Sequence, residues 1–280
     1  MPVKLRMIQA GYCTHPERVV MGGGSWKSCR FPAMVGVIEH PTEGLMLFDT
    51  GYSERFHTET ASFPNLVYAR LTPVYYQPED AAVTQLEAQG YKAEDVRTVI
   101  LSHFHGDHIA ALEDFPKARF ACSEDGYSAL RSLKGISALS KGFLPGLLPE
   151  DFARRLMPFE SCPTVDLTGR LEPFTTGYDL FGDGLLIAVP LPGHAVGHYG
   201  LLVESETGPV FLVGDACWTT RSYTELRLPS ALAQMIFSDK RAYAETLRGL
   251  HALNQEHPNV RIVPSHCQDL WESFAREAQA

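Results

Sequence analysis

"ILSHFHGDHIAAL", residues 100–112, places His103, His105, Asp107 and His108 within six residues, directly behind an apolar run. Imidazoles and carboxylates this dense are costly to bury unless something pairs with them. The preceding "DVRTVILS" reads as a short buried strand ended by Ser102, and "HIAALEDF" reads as a helix that begins inside the motif. His103 and His105, two apart in an extended loop, point the same way. One pair of imidazoles can therefore face one metal ion. Asp107 and His108, where the chain turns into the helix, can face a second. Neutral imidazole and carboxylate are preferred zinc ligands.

Further donors are expected where other strands end, because loops at strand ends carry function on a rigid scaffold. "PLPGHAVGHYG" puts His194 behind the strand "LLIAVP", "FLVGDAC" puts Asp215 behind another, and "RIVPSHC" puts His266 behind a third. The seven sort into His103, His105 and His194 around one metal and Asp107, His108 and His266 around the other, with Asp215 as the bridge. A lone His-x-His is usually surface or core. Four donors in six residues, with three more at strand ends, are a different pattern. Asp49, closing "GLMLFDTG", and Ser102 are read as residues that hold a ligand histidine from behind. His198 reads as supporting or surface, and His15, His40, His57, His251 and His257 as uninvolved. Cys217 and Cys267 lie beside donors, but alternation points them away, so they read as small packing residues.

Outward from the motif, "VKLRMIQAG" and "PAMVGVIEH" read as strands, "PEDAAVTQLEAQG" and "DKRAYAETLRGLHALNQEH" as helices, and "GLLIAVPLPGH", "HYGLLVES", "PVFLVGDA" and "VRIVPSHC" as strands. This order implies a layered α/β or α+β domain. "VIEHPTEGLMLFDTG" resembles "VESETGPVFLVGDA", and each runs strand, acidic turn with glycine, apolar strand, aspartate. Two similar halves would produce that echo, with Asp49 and Asp215 at matching strand ends. The region from about 124 to 180 is apolar but broken by Gly142, Pro145, Gly146 and Pro149. Its part from Ser137 to Phe159 is expected to cover the metal edge as a lid, with Phe143, Leu147 and Trp218 forming an apolar substrate pocket.

The chain has 280 residues, 45% apolar and 20% charged, so it has ample material for a core. A formal net charge of −9 without a basic block argues against nucleic acid and anionic membrane surfaces. A small-molecule substrate is expected, with the chain acting as monomer or homodimer. The six cysteines show no paired spacing and read as reduced thiols in a cytoplasm. The start, "MPVKLRMIQAGYC", has no apolar run of signal-peptide length, and no stretch approaches the roughly 18 apolar residues of a membrane helix.

With the HxHxDH run followed by a His, an Asp and a His, the chain resembles the metallo-β-lactamase superfamily of hydrolases, from "FDTG" to "PSHC". The resemblance implies an α+β fold, an αββα sandwich of two similar halves with two zinc ions at one edge; iron or manganese are alternative metals. It implies a hydrolase that attacks a carbonyl with metal-bound hydroxide, Asp107 protonating the leaving group. Within the superfamily, the bridging Asp215 separates the chain from true metallo-β-lactamases, and His105 separates it from flavodiiron relatives. Only 14 residues follow His266, too few for the C-terminal extension of glyoxalase II relatives. The acidic balance separates it from RNase Z relatives. The nearest pattern is that of quorum-quenching lactonases, including N-acyl homoserine lactonases. Those carry a substrate-contacting Tyr three residues after the bridging Asp, where this chain has Trp218 in "DACW". Alternatives are a thioesterase of glyoxalase II type, a mononuclear iron persulfide dioxygenase, and a weakly active binding or signalling protein.

Overall fold

A computed structural model describes residues 1–277. Its first sheet contains β1 (Lys4–Pro16), β2 (Ser28–His40), β3 (Gly44–Phe48), β4 (Val74–Tyr75), β5 (Val96–Ile100), β6 (Arg119–Cys122) and β7 (Leu156–Pro158), in the order β4-β1-β2-β3-β5-β6-β7. Its second contains β8 (Thr164–Asp166), β9 (Thr176–Asp179), β10 (Leu186–Pro190), β11 (Tyr199–Ser205), β12 (Gly208–Gly214) and β13 (Arg261–Pro264), in the order β13-β12-β11-β10-β9-β8. The central strands are apolar at successive positions, not alternating, because both faces of each sheet are covered. Met34, Ile38, Met46 and Phe48 of one sheet meet Leu186, Leu201, Val203 and Leu212 of the other. On the far side of the second sheet, Val189, Leu202, Phe211 and Val213 pack under the helix Lys240–Glu256. That helix turns Tyr243, Leu247, Leu250 and Leu253 inward, a three-to-four residue spacing that makes one apolar stripe. Asp239 caps it by accepting the Arg241 and Ala242 N–H groups.

The internal echo is a repeated pairing scheme. β2 and β3 form an antiparallel hairpin, and β3 then runs parallel to β5. β11 and β12 form a second antiparallel hairpin, and β12 runs parallel to β13. Asp49 and Asp215 therefore leave equivalent strand ends. Ser102-His103 follows β5 and Ser265-His266 follows β13, so both halves deliver donors to the same edge.

Three expectations are corrected. The helix read in "HIAALEDF" is a single turn, Gly106–Ile109, followed by a separate 3₁₀ turn at Leu112–Asp114. Thr50 bonds the His108 carbonyl through both its N–H and its hydroxyl, and the Ser53 hydroxyl bonds the Ala110 carbonyl at 2.6 Å. Those carbonyls would otherwise accept the next helical bonds. Second, β1 continues to Pro16 beyond the expected stop at Gly11. Gly11 sits at a bulge with φ +77°, after which pairing with β2 resumes. Third, the region 124–180 is not a lid. It supplies the end strand of each sheet (β7 to one, β8 with its neighbour β9 to the other), and Phe143, Leu147 and Phe152 are buried in the core. Phe152 stacks on Phe120 at 4.8 Å, and Phe104 meets Phe143 edge-on at 6.5 Å. Of residues 137–159, Leu139 and Gly142 reach the cavity described below.

Candidate metal centre

The strand ends bring all seven expected donors together. Ligand-capable atoms of His103, His105, His194 and Asp215 lie within 4.8 Å of one another, as do those of Asp107, His108 and His266. Asp215 faces both groups. Its Oδ2 lies 3.2 Å from His194 Nε2, while its Oδ1 lies 3.0 Å from His266 Nε2 and 3.4 Å from His108 Nε2. Asp107 Oδ2 closes the second group, 3.3 Å from His266 Nε2 and 3.7 Å from His108 Nε2. His105 Nδ1 and His194 Nε2 approach to 3.0 Å. The His194 loop is held by the start of the long helix, through Asp239 N–H to Gly193 O and Ser238 N–H to His194 O. Gly193, at φ +127°, leaves no room for a Cβ against the Tyr243 backbone.

Behind the donors, a set of hydrogen bonds selects imidazole tautomers. Asp49 accepts the Ser102 N–H on Oδ1, and the Ser102 hydroxyl and His108 Nδ1–H on Oδ2, all at 2.8 Å. With its proton on Asp49, the Ser102 oxygen accepts His103 Nδ1–H at 2.9 Å. His266 Nδ1–H donates to Pro32 O at 2.8 Å. Nε2 of His103, His108 and His266 thus carries the lone pair that points to the centre. Asp49 adopts φ +60°, a left-handed conformation that Asp and Asn tolerate better than most side chains. His198 is a supporting residue: its Nε2 accepts the Asp215 N–H at 3.0 Å and its Nδ1–H donates to Leu191 O at 3.1 Å. Burial holds its imidazole down to about 3, so it stays neutral. The Trp218 indole N–H, expected in a substrate pocket, donates to Asp215 Oδ2 at 2.8 Å.

The electrostatics fit a cation. Burial, reinforced by neighbouring imidazoles, keeps His103 and His105 well below the ordinary range and neutral. Burial also opposes a proton on His108 and His266. There the surrounding carboxylates outweigh it, Asp49, Asp107 and Asp215 for His108 and Asp215 and Asp107 for His266, and both are raised. Burial alone would raise Asp215, but His266, His108 and His194 hold it well below the carboxylate range. His103 Nε2, His108 Nε2, His194 Nδ1 and Asp215 Oδ1 are buried without a hydrogen-bond partner. Buried polar atoms are rarely left so. Divalent cations would satisfy His103 Nε2, His108 Nε2 and Asp215 Oδ1, though not His194 Nδ1, which lies across the ring from the Nε2 that faces the centre, and would displace the protons from the raised imidazoles.

Above the centre lies a cavity of about 500 Å³, with His105, Asp107, His194, Asp215 and His266 at its floor. That volume suits a small organic ligand. Its walls include Cys13, His15 and Phe31 from β1 and β2, together with Tyr52 and Tyr68. The rim carries Val67 and Leu71 of the helix Leu66–Leu71, and Leu232, Met235 and Ile236 around the 3₁₀ turn Ala233–Ile236. Leu71 and Met235 are each 70% exposed, which is unusual for apolar side chains ringing one opening. Trp218 lines the cavity as expected; Phe143 and Leu147 do not, being buried behind its wall. His15, read as uninvolved, faces the cavity because β1 runs past its bulge. Tyr68 and the apolar rim were not singled out from sequence.

The sequence pattern of the metallo-beta-lactamase superfamily matches residues 30–266. The chain belongs to this superfamily. Metallo-beta-lactamase chains similar to it include the N-acyl homoserine lactonase AttM of Azorhizobium caulinodans, 27% identical over 98% of this chain and 97% of that one. A probable metallo-hydrolase of Mycobacterium tuberculosis is 27% identical over 82% of this chain and 73% of its own length. Among solved structures, an N-acyl homoserine lactone hydrolase with N-hexanoyl-L-homoserine at its catalytic metal centre superposes with a TM-score of 0.71 at 20% identity, covering 98% of this chain and 97% of that one. AidC, a dizinc quorum-quenching lactonase, does so with a TM-score of 0.64 at 14% identity, covering 95% and 87%. The fold is the expected α+β sandwich, and the protein is a metal-dependent hydrolase. Among the described residues no helix is long and apolar enough to cross a membrane, and the six cysteines are unpaired.

Proposed function

We propose that this metal-dependent hydrolase opens lactones, using two zinc ions held by His103, His105 and His194 on one side, Asp107, His108 and His266 on the other, and Asp215 between. The observation that carries the reading is Asp215, whose two carboxylate oxygens face the two groups separately. Bound there, the ions supply Lewis acidity and lower the pKa of a coordinated water from 15.7 to about 7, so that a nucleophile exists at neutral pH. The chain's own residues do the rest. Asp49, Ser102 and Pro32 O hold the imidazole tautomers. His198 fixes the Asp215 backbone and Trp218 its carboxylate. Asp107, at the cavity floor, carries the water's proton to the leaving oxygen. The apolar rim excludes water and accepts an acyl group, and the N-acyl homoserine lactonases similar over almost the whole chain support that class of substrate. The protein would work on a small molecule in a reducing cytoplasm, as monomer or homodimer.

Metal analysis followed by a panel of lactones, esters and thioesters tests this. Two metals per chain with lactones preferred supports it. A single obligate iron with O₂ consumption, or a preference for thioesters, ends it.

A further inference from the structure

The cavity floor needs a hydrogen-bond donor for the oxygen that leaves when an ester bond breaks. Trp218 is not available, since its one N–H is committed to Asp215 Oδ2 at 2.8 Å. Tyr52 is less accessible, being fully buried with its side chain near the buried Cys13 thiol. Tyr68 differs. It lines the cavity with Asp107 and His105, its oxygen is near the Gly106 N–H, and among the described residues no hydrogen bond commits its own O–H. Gly106 immediately precedes Asp107, so this phenol stands on the Asp107 side of the centre. Its ring is fixed edge-on against Phe56 at 5.5 Å. Its backbone carbonyl accepts Thr72 N–H at 2.8 Å.

Resting on the lactone-opening reading, we propose that Tyr68 is a catalytic residue of ring opening, donating a hydrogen bond to the leaving oxygen. In that step the water oxygen bonds to the acyl carbon. The ring C–O bond breaks and leaves its electron pair on the ring oxygen. That oxygen takes the water's proton from Asp107 while Tyr68 stabilises its developing charge. Tyr68 keeps its own proton: burial, then the nearby Asp107 charge, pushes its ionisation well above the ordinary phenol range. The product is a hydroxy acid, and the same O–H is placed to bond its new hydroxyl.

The test compares the metal-loaded parent with Tyr68→Phe, which keeps the ring and its Phe56 contact. For a lactone or alkyl ester, kcat/KM should fall about 100-fold, the usual loss on removing one charge-stabilising donor. For the p-nitrophenyl ester of the same acid, whose leaving oxygen needs little help, the loss should stay within about threefold. A binding arm requires no turnover. Calorimetry with a ring-opened hydroxy acid, and with the matching acid lacking the hydroxyl, should show a preference for the former of about tenfold in the parent and none in Tyr68→Phe. Equal losses for both leaving groups, or a hydroxyl preference that survives the substitution, overturn the proposal. A parent that hydrolyses no lactone or ester refutes the broader reading, and the binding arm then decides Tyr68 by itself.

Discussion

Replacing Asp49 by Asn isolates the tautomer control behind the metal centre. The two side chains have the same shape, and Asn accepts the φ +60° backbone as readily as Asp, so the fold is not strained further. Only the hydrogen-bond pattern changes. If the amide oxygen keeps the Ser102 N–H, the amide N–H₂ faces both the Ser102 oxygen, which can accept from it while still taking His103 Nδ1–H, and His108 Nδ1, which now has to present a lone pair. The imidazole proton then moves to Nε2, the atom 3.4 Å from Asp215 and 3.7 Å from Asp107, where it blocks coordination. If the amide flips, its N–H₂ opposes the Ser102 N–H across 2.8 Å. Either way one charge-assisted hydrogen bond is lost, about 1.5–3 kcal/mol. Since each 1.4 kcal/mol is a factor of about ten, this agrees with the 10–100-fold weakening usual when a residue behind a ligand is removed. The loss should fall on an ion bound at the Asp107, His108 and His266 group proposed above. A zinc titration against a chromophoric chelator should show one ion released 10–100-fold more easily and the other little changed. Parent-like affinity at both positions, or equal weakening of both, refutes the tautomer argument.

Asp215→Ala should cost far more activity than Asp49→Ala, because it removes the carboxylate facing both groups; kcat/KM and metal content measured together check this, and equal losses would reverse the ranking. Phe143→Ser should lower unfolding free energy by about 3 kcal/mol or more in denaturant titration, as for a buried aromatic. Leu71→Ser with Met235→Ser should leave stability and metal content intact but flatten the rise in activity with acyl length, for which each buried CH₂ contributes about 0.8 kcal/mol; an unchanged slope would exclude the rim from substrate binding. Gly142→Ala places a Cβ 2.6 Å from His105 Cδ2 at a φ of +65°, so a strain of about 1–3 kcal/mol and weaker metal retention by His103, His105 and His194 are expected, read by melting and chelator competition.

The donors were legible because each stands at the end of an apolar strand, a position set by local pattern. His194, Asp215 and His266 are far apart in the chain, yet β10, β12 and β13 carry them to one edge. What was not legible depended on partners remote in sequence. The helix after His108 is cut short by Thr50 and Ser53, more than fifty residues upstream. His15 reaches the cavity because β1 survives a bulge at Gly11, and glycine alone reads as a stop. Phe143 and Leu147 show why apolar composition in a broken segment does not distinguish a lid from a wall: short turns wrapped on a sheet bury side chains as well as a long helix does. "NLVYARL" and "ALAQMIF" look like core for the same reason, and only the fold leaves their apolar side chains at an opening. The partner of the Trp218 N–H depends on the turn that follows Asp215, which residue type does not reveal.

The rim helix Leu66–Leu71 and the turn Ala233–Ile236 contribute no atom to either donor group. Substrate fit and metal retention therefore draw on separate positions, and changes at positions that share no partners combine additively. On the proposed reading, in which the rim receives the acyl group, a descendant of this chain could exchange Leu71, Leu232 or Met235 and so move from one acyl group to another without passing through a metal-deficient intermediate. Tyr68 would be the exception, the rim-helix position proposed to act on the leaving oxygen. Drift in specificity should accumulate around it while it stays in place.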